Sequence, residues 1–306
     1  MSILNKKTRK GNIKMIKLVV TDMDGTLINH VTGISEKNLE AIHLLEKYHI
    51  DFAIASGRDY AGVSSVIHDF GLRCEAILGN GAQYVDQNGN LLMSCYMNKD
   101  IIQKVINTVE EHHIPYMMFT DKGFYTSQDP TYVRDMFVER CHRRFHRPKS
   151  DFDKGGSHEH TPCNQLQHID DFESFLKKDI NIIKIEAFTL DETNIPPLKE
   201  DLKRIPNISY LSSFSDNVEI TDENAQKGYI LEKVIQQKGL SKEEVVVLGD
   251  GMNDYTLFTC FPYSYAPANA EKEIKEKAFK IVSACEEDGF AEAIHHMLQH
   301  FGFSKF

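Results

Sequence analysis

The stretch IKLVVTDMDGTL, residues 16 to 27, begins as a strand and ends in two carboxylates. Leu18, Val19 and Val20 show no polar face, which suits a strand covered on both sides and therefore a parallel sheet between helices. Asp22 and Asp24 follow directly, and residues two apart on an extended chain point the same way. Two like charges thus stand together where the strand leaves the core. Any fold for this chain has to give them a reason.

The surrounding rhythm is that of βαβ units. Ser35 can cap a helix whose Leu39, Ile42, Leu45 and Tyr48 recur at helical spacing. The strand DFAIASGR (51–58) comes next, then a helix through Tyr60, Val63, Ile67 and Phe70 with Gly71 at its end. EAILGNGA (75–82) is a third apolar strand that ends in glycines, and YVDQNGNLLM (84–93) reads as a hairpin around Asn88-Gly89. From about 95 the pattern becomes irregular. It holds a helix near 99–113, strands at 116–120 and 180–188, and a polar segment at 140–162. The α/β rhythm returns with the helix at 226–239 and the strand EEVVVLGD (243–250). The expected fold is α/β: a Rossmann-like parallel-sheet core at 15–94 and 211–306, split by an inserted α+β cap domain at 95–210. Residues 1–14 are expected to be a flexible basic extension.

Bulk properties narrow the function. With 35 basic and 45 acidic residues the net charge is −10, which argues against general nucleic-acid or membrane-surface binding. No apolar run approaches the roughly 18 residues of a membrane helix, and the N-terminus lacks the apolar core of a signal peptide. Six cysteines lie far apart without a CxxC pair, so reduced thiols in a cytoplasm are expected. Neither nucleic acid nor a membrane is an expected partner, and the chain is expected to be a monomer or weak homo-oligomer.

In a parallel sheet ligands bind at the carboxyl ends of the strands. Four strands here end in DMDGT (22–26), SGR (56–58), GNGA (79–82) and GDGMND (249–254), and Lys227 opens a nearby helix. All converge on one edge. Clustered carboxylates repel unless a cation sits among them, and an all-oxygen set selects Mg²⁺ or Ca²⁺. A lysine, a serine and glycine N–H groups beside that cation form a cradle for phosphate.

With these residues in place, the sequence resembles the haloacid-dehalogenase (HAD) superfamily, specifically the Cof-type phosphatases with a C2-type cap. DMDGT matches the first motif of that family, Ser56 its second, Lys227 its third and GDGMND its fourth. The resemblance implies a Mg²⁺-dependent phosphatase with Asp22 as the nucleophile and Asp24 as general acid and base. It implies metal ligation by the Asp22 carboxylate, the Asp24 backbone carbonyl and Asp250, with Asp254 supporting the metal's water shell or Lys227. Ser56, Gly57, Lys227 and Asn253 would hold the phosphoryl group. Implied substrates are small phosphorylated metabolites: sugar phosphates, pyridoxal phosphate or flavin-precursor phosphates. A sugar phosphomutase and a catalytically silent phospho-ligand sensor are the alternatives.

Several residues carry plainer readings. Ser56 could cap the helix that starts near Asp59. Arg58 could reach substrate or form a salt bridge, and Asn80 could touch substrate or serve a turn. Asn269 reads as structural. The basic run 140–149 reads as a solvated loop or as an electrostatic guide for an anionic substrate. Cys141, His146, His158, His160 and Cys163 follow no zinc-ligand spacing.

Overall fold

A computed structural model describes residues 15–29 and 33–303; the expected N-terminal extension lies outside them. The strand Leu18–Thr21 sits inside an eight-stranded sheet. In spatial order the strands are Lys280–Val282, Tyr263–Pro267, Val245–Leu248, Leu18–Thr21, Asp51–Ala55, Glu75–Leu78, Gln83–Val85 and Leu91–Ser94. The first six run parallel, Gln83–Val85 runs antiparallel to them, and Leu91–Ser94 turns back antiparallel to Gln83–Val85. Alternation along Leu18–Thr21 explains why all its residues are buried. Val19 faces a cluster built from Leu45, Val63 and Met297, whereas Leu18 and Val20 face one built from Leu231, Val234 and Leu257. Helices therefore cover both faces, as the unbroken apolar run requires.

The chain steps outward from Leu18–Thr21 in one direction, then later from Val245–Leu248 in the other. Their carboxyl ends, at Asp22 and Gly249, flank the switch point where the crevice of such a sheet lies.

A second sheet of six strands holds, in spatial order, Ile208–Leu211, Asn217–Asp222, Ile182–Phe188, Tyr116–Thr120, Gly123–Thr126 and Leu166–His168. Helices Lys99–Glu111 and Ile195–Leu202 cover one face, where Ile102, Val105, Ile106, Val109, Leu198 and Leu202 pack with Ile185 and Val218. On the opposite face Met117, Phe119 and Phe188 pack with Val133, Val138 and Cys141 of the helix Pro130–Phe145.

Two expectations need correction. The return to the core was placed at 211, but Asn217–Asp222 is hydrogen-bonded on both sides within the six-stranded sheet. The cap therefore continues through Asp222, and residues 212–216 connect the two strands of a hairpin. The hairpin at 84–93 exists, but its turn is wider than the two residues Asn88-Gly89. The Asp86 N–H donates to the Asn90 carbonyl, and Asp86 Oδ1 accepts from the Asn88 and Asn90 N–H groups. The Asx side chain organises the loop.

Candidate active site

Lys227 is the first residue of the helix Lys227–Gln237 and is fully buried. Its Nζ donates to Asp22 Oδ1 at 2.5 Å and to Asp254 Oδ1 at 2.7 Å. Asp254 is itself held, because its Oδ2 accepts the N–H groups of Asp250 at 2.9 Å and Gly251 at 3.1 Å. Thr26 Oγ1 donates to Asp250 Oδ1 at 2.6 Å. A positive φ of 87° at Gly25 turns the chain back so closely that a Cβ there would stand 2.6 Å from Asp250 Oδ2. Only glycine permits that approach. Gly81, with φ at 109°, makes a similar approach to the backbone of Gln226, the residue before Lys227.

The charges do not balance. Asp22, Asp250 and Asp254 present oxygens within 4.8 Å of one another, yet among the described residues the one cation bonded to any of them is Lys227, which meets Asp22 and Asp254. Burial, then the neighbouring acids Asp254, Asp250 and Asp24, push the Asp22 carboxyl well above its usual range against the pull of Lys227. Asp250 is pushed up to about 7, by burial first and Asp254 next. Burial works against the Lys227 charge, but Asp22 and Asp254 outweigh it and raise its pKa. Two buried carboxylates that share one lysine, with the half-buried Asp250 beside them, lack a positive charge, and the donors are all oxygen. This set fits a hard divalent cation such as Mg²⁺.

Asp24 lies outside that cluster and meets Arg58 instead. The guanidinium grips it through two bonds, Nε to Oδ2 at 2.8 Å and Nη2 to Oδ1 at 2.6 Å. Of the two readings of Arg58, the salt bridge is the one present. Ser56 is buried at the end of Asp51–Ala55, and its Oγ accepts the Arg58 N–H at 3.1 Å. It does not cap the following helix; Asp59 does, by accepting the Gly62 N–H. Asn80, at φ 58°, is more than a turn residue. Its Nδ2 donates to Glu219 of the cap sheet and its Oδ1 accepts from Asn253 Nδ2 at 3.2 Å. Asn269 is structural as expected, bridging the Gly25 carbonyl and the Cys285 N–H.

These groups open into a cavity of about 500 Å³ between the two sheets, which Asp22, Asp24, Ser56, Gly57, Asp250 and Asn253 line from the core side. Its cap wall was not anticipated. Lys184 and Glu186 of Ile182–Phe188, Glu219 of Asn217–Asp222 and Arg140 of the helix Pro130–Phe145 all line it. Charged residues in the middle of the apolar runs INIIKIEAF and NVEITD were the available signal, since a buried charge needs a partner or a task.

The basic run is not a free loop. The helix Pro130–Phe145 carries its first half. Arg140 pairs with Asp216 and Glu186, Arg144 with Asp216, and Arg143 and Lys149 with Glu139. The Cys/His set forms no metal centre. Among the described residues Asp22, Asp250 and Asp254 are the one group of metal-type donors gathered at close range. All six thiols are free.

Comparison with known proteins agrees with this geometry. The haloacid dehalogenase-like hydrolase family matches residues 19–294. Phosphatase YwpJ of Bacillus subtilis (strain 168) is 24% identical over 287 residues, covering 92% of this chain and 100% of its own length. The HMP-PP phosphatase of Yersinia pseudotuberculosis serotype I is 24% identical over 290 residues, covering 93% of this chain and 96% of its own. A haloacid dehalogenase-like hydrolase from B. subtilis superposes with a TM-score of 0.78 at 23% identity, over 92% of this chain and 99% of that structure. The chain belongs to the haloacid dehalogenase-like hydrolases, and its parallel-sheet core carries the four motifs on which the resemblance rests.

Proposed function

We propose that this chain is a Mg²⁺-dependent phosphatase that hydrolyses a small-molecule phosphate monoester through a phosphoryl group carried on Asp22. The observation behind this reading is the placement of Asp22 and Asp24 at one strand end, facing the cavity, with separate partners. Asp22 is fixed by Lys227, while Asp24 is fixed by Arg58. Two carboxylates with different environments suit two different roles.

In the first half-reaction an oxygen of Asp22 attacks phosphorus in line with the ester oxygen. The P–O ester bond breaks as the Asp22 acyl-phosphate bond forms, and Asp24 gives its proton to the departing oxygen. In the second, Asp24 takes a proton from water as that water attacks phosphorus. Inorganic phosphate leaves and the Asp22 carboxylate is restored. Lys227 holds Asp22 in place and offsets charge that develops on the phosphoryl oxygens. Ser56, the Gly57 backbone and Asn253 surround the position of those oxygens, and Asn80 fixes the Asn253 amide. Asp22, the Asp24 carbonyl and Asp250 would hold Mg²⁺, with Asp254 supporting them. When bound, the ion neutralises charge on the transferring group and aligns it.

The named relatives are phosphatases, which supports the reaction class. Sugar phosphates, pyridoxal phosphate and flavin-precursor phosphates are the candidate substrates. The free thiols fit a reducing cytoplasm, and among the described residues no helix is long and apolar enough to cross a membrane. The test is release of inorganic phosphate from a panel of such esters, with Mg²⁺ and with EDTA, beside Asp22→Asn. Metal-dependent release that Asp22→Asn lacks is the expected result. Equal release by Asp22→Asn would overturn the mechanism.

A further inference from the structure

Among the described residues, one buried side-chain nitrogen or oxygen has no hydrogen-bond partner, and it is Arg140 Nε. Arg140 lines the cavity, and its side chain is only 4% exposed. Its other nitrogens are engaged: Nη2 donates to Asp216 Oδ1 at 2.8 Å and Nη1 reaches Glu186 Oε1 at 3.5 Å. A buried charged donor left unmade is costly, so a position that keeps one calls for an occupant.

What that occupant is follows from the neighbours. Glu186 is loosely held, at 3.5 Å from Arg140 and 3.6 Å from Lys184 Nζ, so its oxygens retain capacity to accept. A free donor and an available acceptor side by side match a hydroxyl, which uses both, better than a carbonyl or an ether, which uses one. The charge count points the same way. Arg140, Arg144 and Lys184 face Asp216, Glu186, Glu219 and Glu192, three cations against four carboxylates. Within this network no cation is left over for a second anion on the leaving group; Arg147, which also lines the cavity, stands outside it against His158. Phe214 beside the guanidinium and Phe119 beneath Lys184 supply apolar faces for a ring.

We propose that Arg140 is a specificity-determining residue: its Nε–H donates to a hydroxyl of an uncharged, polyhydroxylated leaving group, and that hydroxyl donates in turn to Glu186. The substrate class is then the phosphate monoester of a sugar or polyol. This rests on the phosphatase reading above and narrows it.

The experiment compares kcat/KM for glucose phosphate, its deoxy analogues, phosphoglycerate and phenyl phosphate in wild type, Arg140→Lys and Glu186→Gln. Wild type should prefer glucose phosphate to phenyl phosphate and to phosphoglycerate. Arg140→Lys keeps the charge but lacks the guanidinium Nε–H; it should shrink that preference by about 10–100-fold, mainly through KM. Glu186→Gln should shrink it in the same direction and serves if Arg140→Lys does not fold. One deoxy analogue should lose in wild type what the variants lose with the parent sugar. An unchanged preference in the folded variants, or a wild-type preference for phosphoglycerate, overturns the inference while phenyl phosphate hydrolysis leaves the phosphatase reading standing. No phosphate from any ester overturns both.

Discussion

Arg58 holds Asp24 by both carboxylate oxygens, with Nε and Nη2 at 2.8 and 2.6 Å. Asp24 therefore cannot turn toward a leaving oxygen without giving up one of these bonds. Arg58 acts as a positioning residue that sets where the proton donor stands when the substrate arrives. Arg58→Ala should lower kcat by about 100-fold, the scale of a misplaced catalytic group, with KM changed less. Steady-state kinetics on one responsive ester checks this, and a wild-type kcat would remove Arg58 from the mechanism.

Lys227 is a fully buried cation between two buried carboxylates. Lys227→Met removes one partner and leaves the acids uncompensated, which costs about 3–5 kcal/mol for a buried pair broken on one side. Chemical denaturation should show a loss of that order, together with loss of turnover. Lys227→Met with wild-type stability would mean that the bonds of Lys227 to Asp22 and Asp254 do not support the fold.

Removal of the metal should appear in stability as well as in activity. Saturation with Mg²⁺ at 100 times its Kd adds about 2.7 kcal/mol by linkage, and Asp250→Asn should abolish most of the gain. The pH dependence has a definite sign. With the folded-state Asp250 carboxyl raised to about 7, the metal-free protein binds a proton there that the unfolded chain has lost. The stability this proton contributes is complete below the usual carboxylate range and is lost as pH rises through about 7. Metal binding needs the ionised form, so the Tm difference between Mg²⁺ and EDTA samples should widen as pH rises through about 7. A difference independent of pH would contradict this.

The exposed part of the basic run, Arg143 and Lys149, should not guide substrate. Arg143 and Lys149 already share Glu139, whose carboxyl they hold down at about 2. Arg143→Glu should leave KM unchanged at low and high salt. A salt-dependent rise in KM would restore the electrostatic role.

How much of this was legible in the sequence differs by region. Unbroken apolar strands such as Val245–Leu248 and turn-terminated helices declare a parallel sheet without tertiary information, and strand ends fixed where Asp22, Ser56 and Asp250 would converge. The cap was harder. NVEITD gives no hint of its partners, and pairing with Ile182–Phe188 on one side and Ile208–Leu211 on the other assigns Asn217–Asp222 to the cap. Arg140 shows the same limit: within RCHRRFHRPK it is one cation among several. Its burial against Asp216 and Glu186, residues 76 and 46 positions away, depends on contacts no local pattern encodes. The bidentate grip of Arg58 on Asp24, 34 residues apart, was visible only as one of two readings.

The central claim is that phosphorus passes through Asp22. The stereochemical course of hydrolysis tests it most directly, with a responsive phosphorothioate ester made chiral at phosphorus by its sulfur and two oxygen isotopes, hydrolysed in water that carries the third isotope. Transfer to Asp22 and then to water comprises two in-line displacements, so the account predicts net retention of configuration. Net inversion would mean a single attack by water and would contradict it.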